Sequence, residues 1–226
     1  MPKINKDVAP LHSYILLDRT YSMKGTRWTE AVGSINGYVQ GLIKSLNKEV
    51  KNKVTLAVFD TQSFDFVDQG TLLTEWGDLA ENTYEPRGST NLYDSAVKLL
   101  DKAIEENNER TAVIIMTDGE ENSSRKYNNN DVKARIKKCE DKGWTVTFLG
   151  ADLDISTQSI NLDNYGNTIS VSTHNLRGFT SSLASSHAAY SETGIRPEVY
   201  NVADRAAAVA PNPCKTGVDS TSTSKV

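Results

Sequence analysis

The chain has 226 residues, which is long enough for a single domain with a sizeable hydrophobic core. Its formal net charge of -4 argues against the strongly basic surface of a typical nucleic-acid-binding protein. No apolar stretch approaches the ~20 residues that a membrane-spanning helix requires. Because residues 1–6 also lack the apolar core of a signal peptide, we expect a cytoplasmic protein with neither nucleic-acid nor membrane partners.

Short apolar runs alternate with segments of helical periodicity along most of the sequence. Strands are predicted at residues 13–17, 54–59, 64–67, 112–116, 145–149 and 168–171. Helices are predicted at residues 27–46, 92–106, 132–142, 154–162, 176–191 and 197–208. This alternation is typical of an α/β protein with a Rossmann-like, doubly wound, mostly parallel six-stranded sheet. We expect one antiparallel edge strand, at residues 64–67, and helices on both faces of the sheet.

The same pattern divides the chain into four regions. Residues 1–10 are predicted to form an N-terminal arm, and residues 11–173 an α/β domain. Residues 174–210 are predicted to be a C-terminal helical extension. Residues 211–226 are rich in Pro, Ser, Thr, Gly and Lys and have almost nothing apolar to bury, so a flexible tail is expected there.

A polar motif follows the first predicted strand directly. After the apolar run Tyr14–Leu17 come Asp18, Thr20 and Ser22, which place one carboxylate and two hydroxyls at alternate positions. In open α/β sheets, ligands bind at the carboxyl ends of the parallel strands. Hard oxygen atoms grouped in this way suit Mg²⁺ or Mn²⁺. The motif is weak by itself, because polar turns commonly follow strands.

Two further segments strengthen the indication of a metal site. The predicted strand at residues 112–116 is followed by Thr117–Glu121, and the segment Pro86–Asp94 is a turn that opens into a helix. Both segments are expected at the same edge of the sheet as the first motif. Five candidate metal ligands therefore come from three loops: Asp18, Thr20, Ser22, Thr90 and Asp118.

The three segments D-x-T-x-S, G-S-T-N-L-Y-D and apolar-T-D-G-E, in this order, resemble the metal-ion-dependent adhesion site of a von Willebrand factor A domain. The resemblance spans roughly residues 11–172, so it makes the region 11–173 a von Willebrand factor A-like domain. It implies a bound Mg²⁺ (or Mn²⁺), with Thr20 and Ser22 as direct ligands and with Thr90 and Asp118 as direct or water-mediated ones. Small stand-alone domains of this kind occur in bacteria and their viruses, so a bacterial or phage-infected cell is the expected setting.

Two positions depart from the pattern of the family. Position 20 is Thr where Ser is more common, which keeps the oxygen and adds a methyl group. Position 21 is Tyr where Gly is usual, and its ring either crowds the site or forms its rim. Arg19, Tyr21, Glu120 and Glu121 are the candidate partner-binding rim. The two glutamates have a plain alternative, because acidic loop residues are commonly just solvated.

The predicted function is a non-enzymatic, divalent-metal-dependent protein-binding module that captures an acidic side chain of a partner. The resemblance implies a protein partner with an exposed Asp or Glu, and self-assembly is left open. One alternative is a Mg²⁺-dependent phosphoryl hydrolase of haloacid dehalogenase type, but Thr20 occupies the position where that family needs an acidic proton donor. Another alternative is a structural assembly component with an idle metal site. A P-loop motif is absent from the sequence, and no catalytic residue is predicted.

Overall fold

The computed structural model describes residues 8–119, 121–152, 167–197 and 208. The strands are Leu11–Asp18 (β1), Lys53–Phe59 (β2), Phe64–Leu72 (β3), Arg110–Thr117 (β4), Thr145–Ala151 (β5) and Thr168–Val171 (β6). The α-helices are Thr26–Ser45 (α1), Leu92–Glu106 (α2), Asn129–Asp141 (α3) and Leu176–Thr193 (α4). Short 3₁₀ helices lie at Tyr21–Met23, Leu73–Glu75, Glu81–Thr83 and Thr173–Asn175.

These strands form one six-stranded sheet in the order β3-β2-β1-β4-β5-β6. All neighbouring pairs are parallel except β2 and β3, which are antiparallel at the edge. The predicted fold class is therefore confirmed. The chain runs from β1 to β2 on one side and returns to β4 on the other side of β1. This reversal of strand order is a topological switch point, where ligands of open α/β sheets bind.

The central strand β1 is buried along its whole length because helices cover both faces of the sheet. Successive side chains of a strand point to opposite faces. Accordingly, Ile15 and Leu17 join the apolar core that contains α1 and α4. Tyr14 and Leu16 join the second core, under α2 and α3. A continuous apolar run is thus what this position in the sheet requires.

The predicted elements differ from the described ones mainly at their ends. Strand β3 continues to Leu72, beyond the predicted end at residue 67, and its pairing with β2 is irregular around Leu56. Residues 68–70 are Asp, Gln and Gly, which interrupt the apolar alternation, so the sequence pattern does not indicate this continuation. Helix α3 begins at Asn129, before the predicted residue 132, because Asn128 caps a polar first turn that carries no apolar periodicity.

Several predictions fall on residues that the structure does not describe. The predicted helix 154–162 and tail 211–226 lie outside the described residues, as does nearly all of the predicted helix 197–208. Of the predicted arm, residues 8–10 are described, and Ala9 is buried. Among the helices that the structure does describe, none is long and apolar enough to cross a membrane.

Helix α4, which lies within the predicted extension, packs closely against α1. An added Cβ atom at Gly41 of α1 would lie only 2.8 Å from the Cβ atom of Ala184 of α4. The Nε atom of Arg177 of α4 also lies 2.7 Å from a carboxylate oxygen of Glu30 of α1. Ala184 itself is fully buried in the core that contains Ile15. The glycine at position 41 therefore permits close contact between the two helices.

Gly37 and Gly41, two of the glycines in α1, are expected to respond oppositely to substitution by alanine. Alanine is favoured over glycine in a helix by about 1 kcal/mol. Gly37 is exposed, and an added Cβ atom there has no neighbour within 4 Å, so Gly37→Ala should raise the free energy of unfolding by up to that amount. Gly41→Ala should lower it, because the new methyl group presses on Ala184. Urea unfolding measures the free energy of unfolding of both variants. An equal increase in this free energy for the two variants would contradict the close packing of α1 on α4.

Candidate metal centre

Asp18 ends the central strand β1, and its carboxylate is fully buried. The Oδ1 atom accepts a hydrogen bond from the backbone amide of Thr20 at 2.7 Å. The Oδ2 atom accepts one from the hydroxyl of Thr117, on the neighbouring strand β4, at 2.5 Å. Asp18 therefore holds together the two loops that leave β1 and β4 at the switch point.

A chain of hydroxyl groups links the remaining predicted ligands. The Thr90 hydroxyl donates to Oγ1 of Thr20 at 3.3 Å, and Oγ1 of Thr20 lies 3.0 Å from Oγ of Ser22. The Ser22 hydroxyl donates to Oδ1 of Asp118 at 2.7 Å. Because each hydroxyl has one proton, the donation runs from Thr90 through Thr20 and Ser22 to Asp118. The structure thus brings all five predicted ligands to one place.

Backbone hydrogen bonds fix the three loops relative to one another. The amide of Tyr21 donates to the carbonyl oxygen of Gly88 at 3.2 Å, which joins the first loop to the second. The amide of Asn122 donates to the carbonyl oxygen of Thr90 at 3.0 Å. In return, the amide of Thr90 donates to the Asn122 side chain, also at 3.0 Å, so the second loop is joined to the third. The positions of the hydroxyls are therefore set by the backbone.

A glycine beside the hydroxyls keeps the site open. A Cβ atom at Gly119 would lie 2.8 Å from Oγ1 of Thr90 and 3.4 Å from Oγ of Ser22. Any side chain at this position would therefore crowd the oxygen atoms that face it. The donor set consists of two carboxylates and three neutral hydroxyls, which is the chemistry of a hard divalent cation. The residues present fit such an ion.

The electrostatics of the site favour the arrival of a positive charge. Burial raises the pKa of Asp18 to about 7, and the neighbouring charge of Asp118 also raises it, against the hydrogen bonds from Thr117 and Thr20. Burial also raises the pKa of Asp118, although the Ser22 hydroxyl and the charge of Arg27 oppose this effect. Both carboxylates are therefore costly to ionise in the absence of a cation.

Clusters of three or more His, Cys, Asp or Glu side chains that could hold a metal are absent from the described part of the chain. This finding agrees with the composition of the site, because only Asp18 and Asp118 belong to those residue types. The other oxygen donors are hydroxyls. The site is therefore built mainly from hydroxyl oxygens around two carboxylates.

The predicted rim role of Arg19 is wrong, because its side chain is buried. The residue is only 3% exposed, and its Nε atom lies 2.8 Å from Oδ2 of Asp60. Its Nη2 atom lies 2.6 Å from Oδ2 of Asp65, and its guanidinium stacks over the ring of Tyr84. The side chain thus turns away from the metal centre and binds the turn between β2 and β3. Asp60, on this turn, and Asp65, near the start of β3, satisfy a charge that the sequence had assigned to the surface.

Tyr21 has the exposure that a rim residue needs. It is 64% exposed, which is high for a large aromatic side chain, and it follows Thr20 directly. The ammonium group of Lys24 lies 5.5 Å from the centre of its ring. The ring therefore stands beside the loop of the first motif with most of its surface in solvent.

Glu121 organises its own loop. Its carboxylate accepts hydrogen bonds from the backbone amides of Tyr93 at 2.9 Å, Ser123 at 2.8 Å and Ser124 at 2.7 Å. Both carboxylate oxygens are used in these bonds, so the side chain is engaged in holding the loop to the start of α2. Glu120, the other predicted acidic rim residue, lies outside the described residues.

Three residues near the site were not predicted as part of it. Thr117 bonds to Asp18 as described above. Arg27, in the first turn of α1, places Nη1 at 3.1 Å from Oδ2 of Asp118. Asp152, which follows β5, places Oδ2 at 3.5 Å from Nε of Arg27. The signal for Asp152 was available, because it too follows an apolar strand at the same edge of the sheet. Arg27 carries no such signal, since it does not follow a strand and lies outside the three motifs.

The fold and the donor set together define a doubly wound α/β domain with an oxygen-lined candidate cation site at its switch point. A family model described as the von Willebrand factor type A domain matches residues 14–193, and the chain belongs to this family. Domains of this family are typically metal-dependent protein-interaction modules. Comparison with curated protein sequences gave no significant match.

Solved structures with the same fold include proteins from Porphyromonas gingivalis, Catenulispora acidiphila and Plasmodium vivax. The von Willebrand factor domain of the type V pili tip protein Mfa5 from Porphyromonas gingivalis matches with a TM-score of 0.60 and 12% identity, over 86% of this chain and 99% of that chain. A von Willebrand factor type A protein from Catenulispora acidiphila matches with a TM-score of 0.57 and 15% identity, over 80% of this chain but only 43% of that chain. Manganese-loaded TRAP protein from Plasmodium vivax matches with a TM-score of 0.54 and 17% identity, over 75% of this chain and 71% of that chain.

The raised pKa of Asp18 predicts a pH dependence of stability in chelator. The folded pKa of about 7 lies above the ordinary value of 3.8, so the folded state binds more protons between these values. The contribution of Asp18 to stability should therefore fall as pH rises from about 4 to 7, by up to about 4 kcal/mol, and level off above it. Buried His12 and His187, whose pKa values burial lowers, contribute with the opposite sign, so the effect of Asp18 is read from the difference between the unaltered protein and Asp18→Asn, which should change across this range. Urea unfolding across this pH range in excess chelator tests the effect, and identical slopes for the two proteins would contradict it.

Proposed function

We propose that this chain is a non-enzymatic protein-binding module that depends on a divalent cation, Mg²⁺ or Mn²⁺. The cation is held by Asp18, Thr20, Ser22, Thr90 and Asp118. The observation that carries the proposal is the convergence of these side chains at the switch point of the sheet, around a fully buried carboxylate. A carboxylate buried at such a place is neutralised by a proton or by a bound cation, so a cation that displaces the proton is favoured there.

The donor set supports a site that is nearly neutral when occupied. Asp18 and Asp118 balance the two positive charges of the ion. The hydroxyls of Thr20, Ser22 and Thr90 supply lone pairs without adding negative charge. Gly119 leaves the space beside these hydroxyls unfilled. A homologous fold, the TRAP protein of Plasmodium vivax, is described as manganese-loaded, which supports the choice of ion.

A cation held mainly by neutral ligands stays electrophilic, and it takes one more oxygen ligand from an Asp or Glu of a protein partner. The exposed ring of Tyr21 then lies at the edge of the contact surface. The loop that Glu121 holds to α2 bounds the same surface on the side of Thr90. Selection of the partner is assigned to Tyr21 and to this loop, because Arg19 is buried.

The hydrolase alternative gains no support from the side chains at the site. A haloacid dehalogenase-type mechanism needs an acid two residues after the first aspartate to protonate the leaving group. That position is Thr20, whose hydroxyl is engaged with Ser22 and Thr90. The alternative of an idle metal site in a structural component is separated from the proposal by the metal titration described next.

Metal binding is expected to depend on Asp118 and on the space beside Gly119. Asp118→Asn and Gly119→Ala should each weaken Mg²⁺ binding by at least about tenfold, because even residues that only support ligands commonly contribute that much. Asp141→Asn is the matched control, since Asp141 pairs with Lys137 on the exposed face of α3. Isothermal titration calorimetry with MgCl₂ and MnCl₂ measures the affinities. Failure of the unaltered protein to bind either ion would support the idle-site alternative.

Capture of a partner is expected to require both the cation and the partner's carboxylate. A protein recovered from a lysate in Mg²⁺ should be released by chelator and should bind weakly after substitution of its own Asp by Asn. Added salt should matter less than chelator, because a direct metal–carboxylate bond is short-range and poorly screened. Tyr21→Ala should weaken the complex while leaving Mg²⁺ affinity unchanged. A partner that stays bound in excess chelator would show that the contact does not use the metal.

A further inference from the structure

Arg27 engages the candidate metal centre from the first turn of α1. Its Nη1 atom lies 3.1 Å from Oδ2 of Asp118 and 3.3 Å from the carbonyl oxygen of Ser22. The other carboxylate oxygen of Asp118 accepts the Ser22 hydroxyl at 2.7 Å. Both oxygens of Asp118 are therefore occupied by donors of this chain, and one of these donors carries a full positive charge.

The location of Arg27 shows that carboxylates, and not the helix, hold its guanidinium. The amino end of a helix carries a partial positive charge, which disfavours a cation in the first turn. The side chain of Asp118 is fully buried, and a charge-assisted hydrogen bond to such a group is strong. Arg27 thus supplies the positive charge that compensates the buried carboxylate of Asp118.

Asp152 provides a second place for the same guanidinium. Its Oδ2 atom lies 3.5 Å from Nε of Arg27. Asp152 is held in place because it accepts hydrogen bonds from the backbone amide of Thr173 at 2.8 Å and from the Thr173 hydroxyl. The Arg27 side chain is 42% exposed, so its guanidinium can move toward Asp152 without disturbing the core.

We propose that Arg27 is the resident countercharge of Asp118 and competes with the divalent cation for that carboxylate. The inference rests on the proposed metal site. Loading of the cation transfers the guanidinium from Asp118 to Asp152. Arginine remains protonated throughout the pH range in which proteins are folded, so deprotonation cannot relieve the competition. Arg27 therefore lowers the affinity of the site and makes metal loading depend on the position of one side chain.

Removal of the charge at position 27 tests the competition. Arg27→Gln should bind MgCl₂ and MnCl₂ more tightly than the unaltered chain, on the order of tenfold, because a like charge is removed from the edge of the site. Arg135→Gln is the matched control, because it removes the same charge from a residue that pairs with Asp101 and Asp131. Its affinities should stay within about twofold of the unaltered protein. Isothermal titration calorimetry measures the affinity of all three proteins for the two ions.

A double-mutant cycle tests the transfer to Asp152. Asp152→Asn should weaken ion binding more in the unaltered chain than in the Arg27→Gln background, where no guanidinium has to be accommodated. Equal effects in the two backgrounds would overturn the transfer. Asparagine tolerates the left-handed backbone of position 152, which has φ +58, so the substitution avoids added strain.

Thermal unfolding gives a readout that does not need the metal. In excess chelator, Arg27→Gln should have a lower Tm than the unaltered protein, because Asp118 is left buried without its countercharge. Saturating MgCl₂ should narrow or remove this difference. An unchanged Tm in chelator would overturn the role of Arg27 as countercharge.

The outcomes separate this inference from the proposed function. If the unaltered chain binds Mg²⁺ or Mn²⁺ and Arg27→Gln binds it equally or more weakly, the competition is overturned and the metal site stands. A weaker affinity of Arg27→Gln would mean that Arg27 positions Asp118 for the ion. If neither protein binds either ion by calorimetry, the proposed metal site fails, and the inference fails with it.

Discussion

The carboxylate of Asp18 lies fully buried between two parallel strands, where it accepts hydrogen bonds from the Thr20 amide and the Thr117 hydroxyl. Burial of a carboxylate without a cation is unfavourable, and the sheet tolerates it here because the polar groups at the ends of β1 and β4 point at it. The loops that leave these strands are fixed by the same contacts. The hydroxyls and Asp118 are positioned around this buried carboxylate.

Most of the fold could be predicted from the sequence because the physical signals for strands and helices are local. Buried parallel strands need continuous apolar runs, and β1 and β4 have them. The full length of β3 could not be predicted, because an edge strand is only partly buried and carries a glycine at position 70. The packing of α4 on α1 through Gly41 was also missed, since it depends on a contact between helices far apart in the sequence.

In the candidate site, too, the features with local sequence signals were predicted and those that depend on long-range contacts were not. Asp18, Thr20, Ser22, Thr90 and Asp118 were predicted together, because strand ends and motif spacing are visible in the sequence. The roles of the charged side chains were not predicted, because the orientation of a long side chain depends on the residues that pair with it. Arg19 lies within the first motif and Arg27 follows it, yet the Arg19 side chain binds Asp60 on the β2–β3 turn whereas the Arg27 side chain reaches the site. Only the three-dimensional positions of the surrounding carboxylates decide between these outcomes.

The directed chain of hydroxyls has a consequence for how the site is dissected. Thr90 donates to Thr20, Thr20 to Ser22, and Ser22 to Asp118, so the orientation of each proton depends on the next acceptor. If one hydroxyl is removed, the neighbouring hydroxyl must form a hydrogen bond with a different group, and this change affects the other hydroxyls in the hydrogen-bonded row. Substitutions within the set are therefore non-additive: the three hydroxyls act as one cooperative unit, and their separate contributions have meaning only as coupling energies.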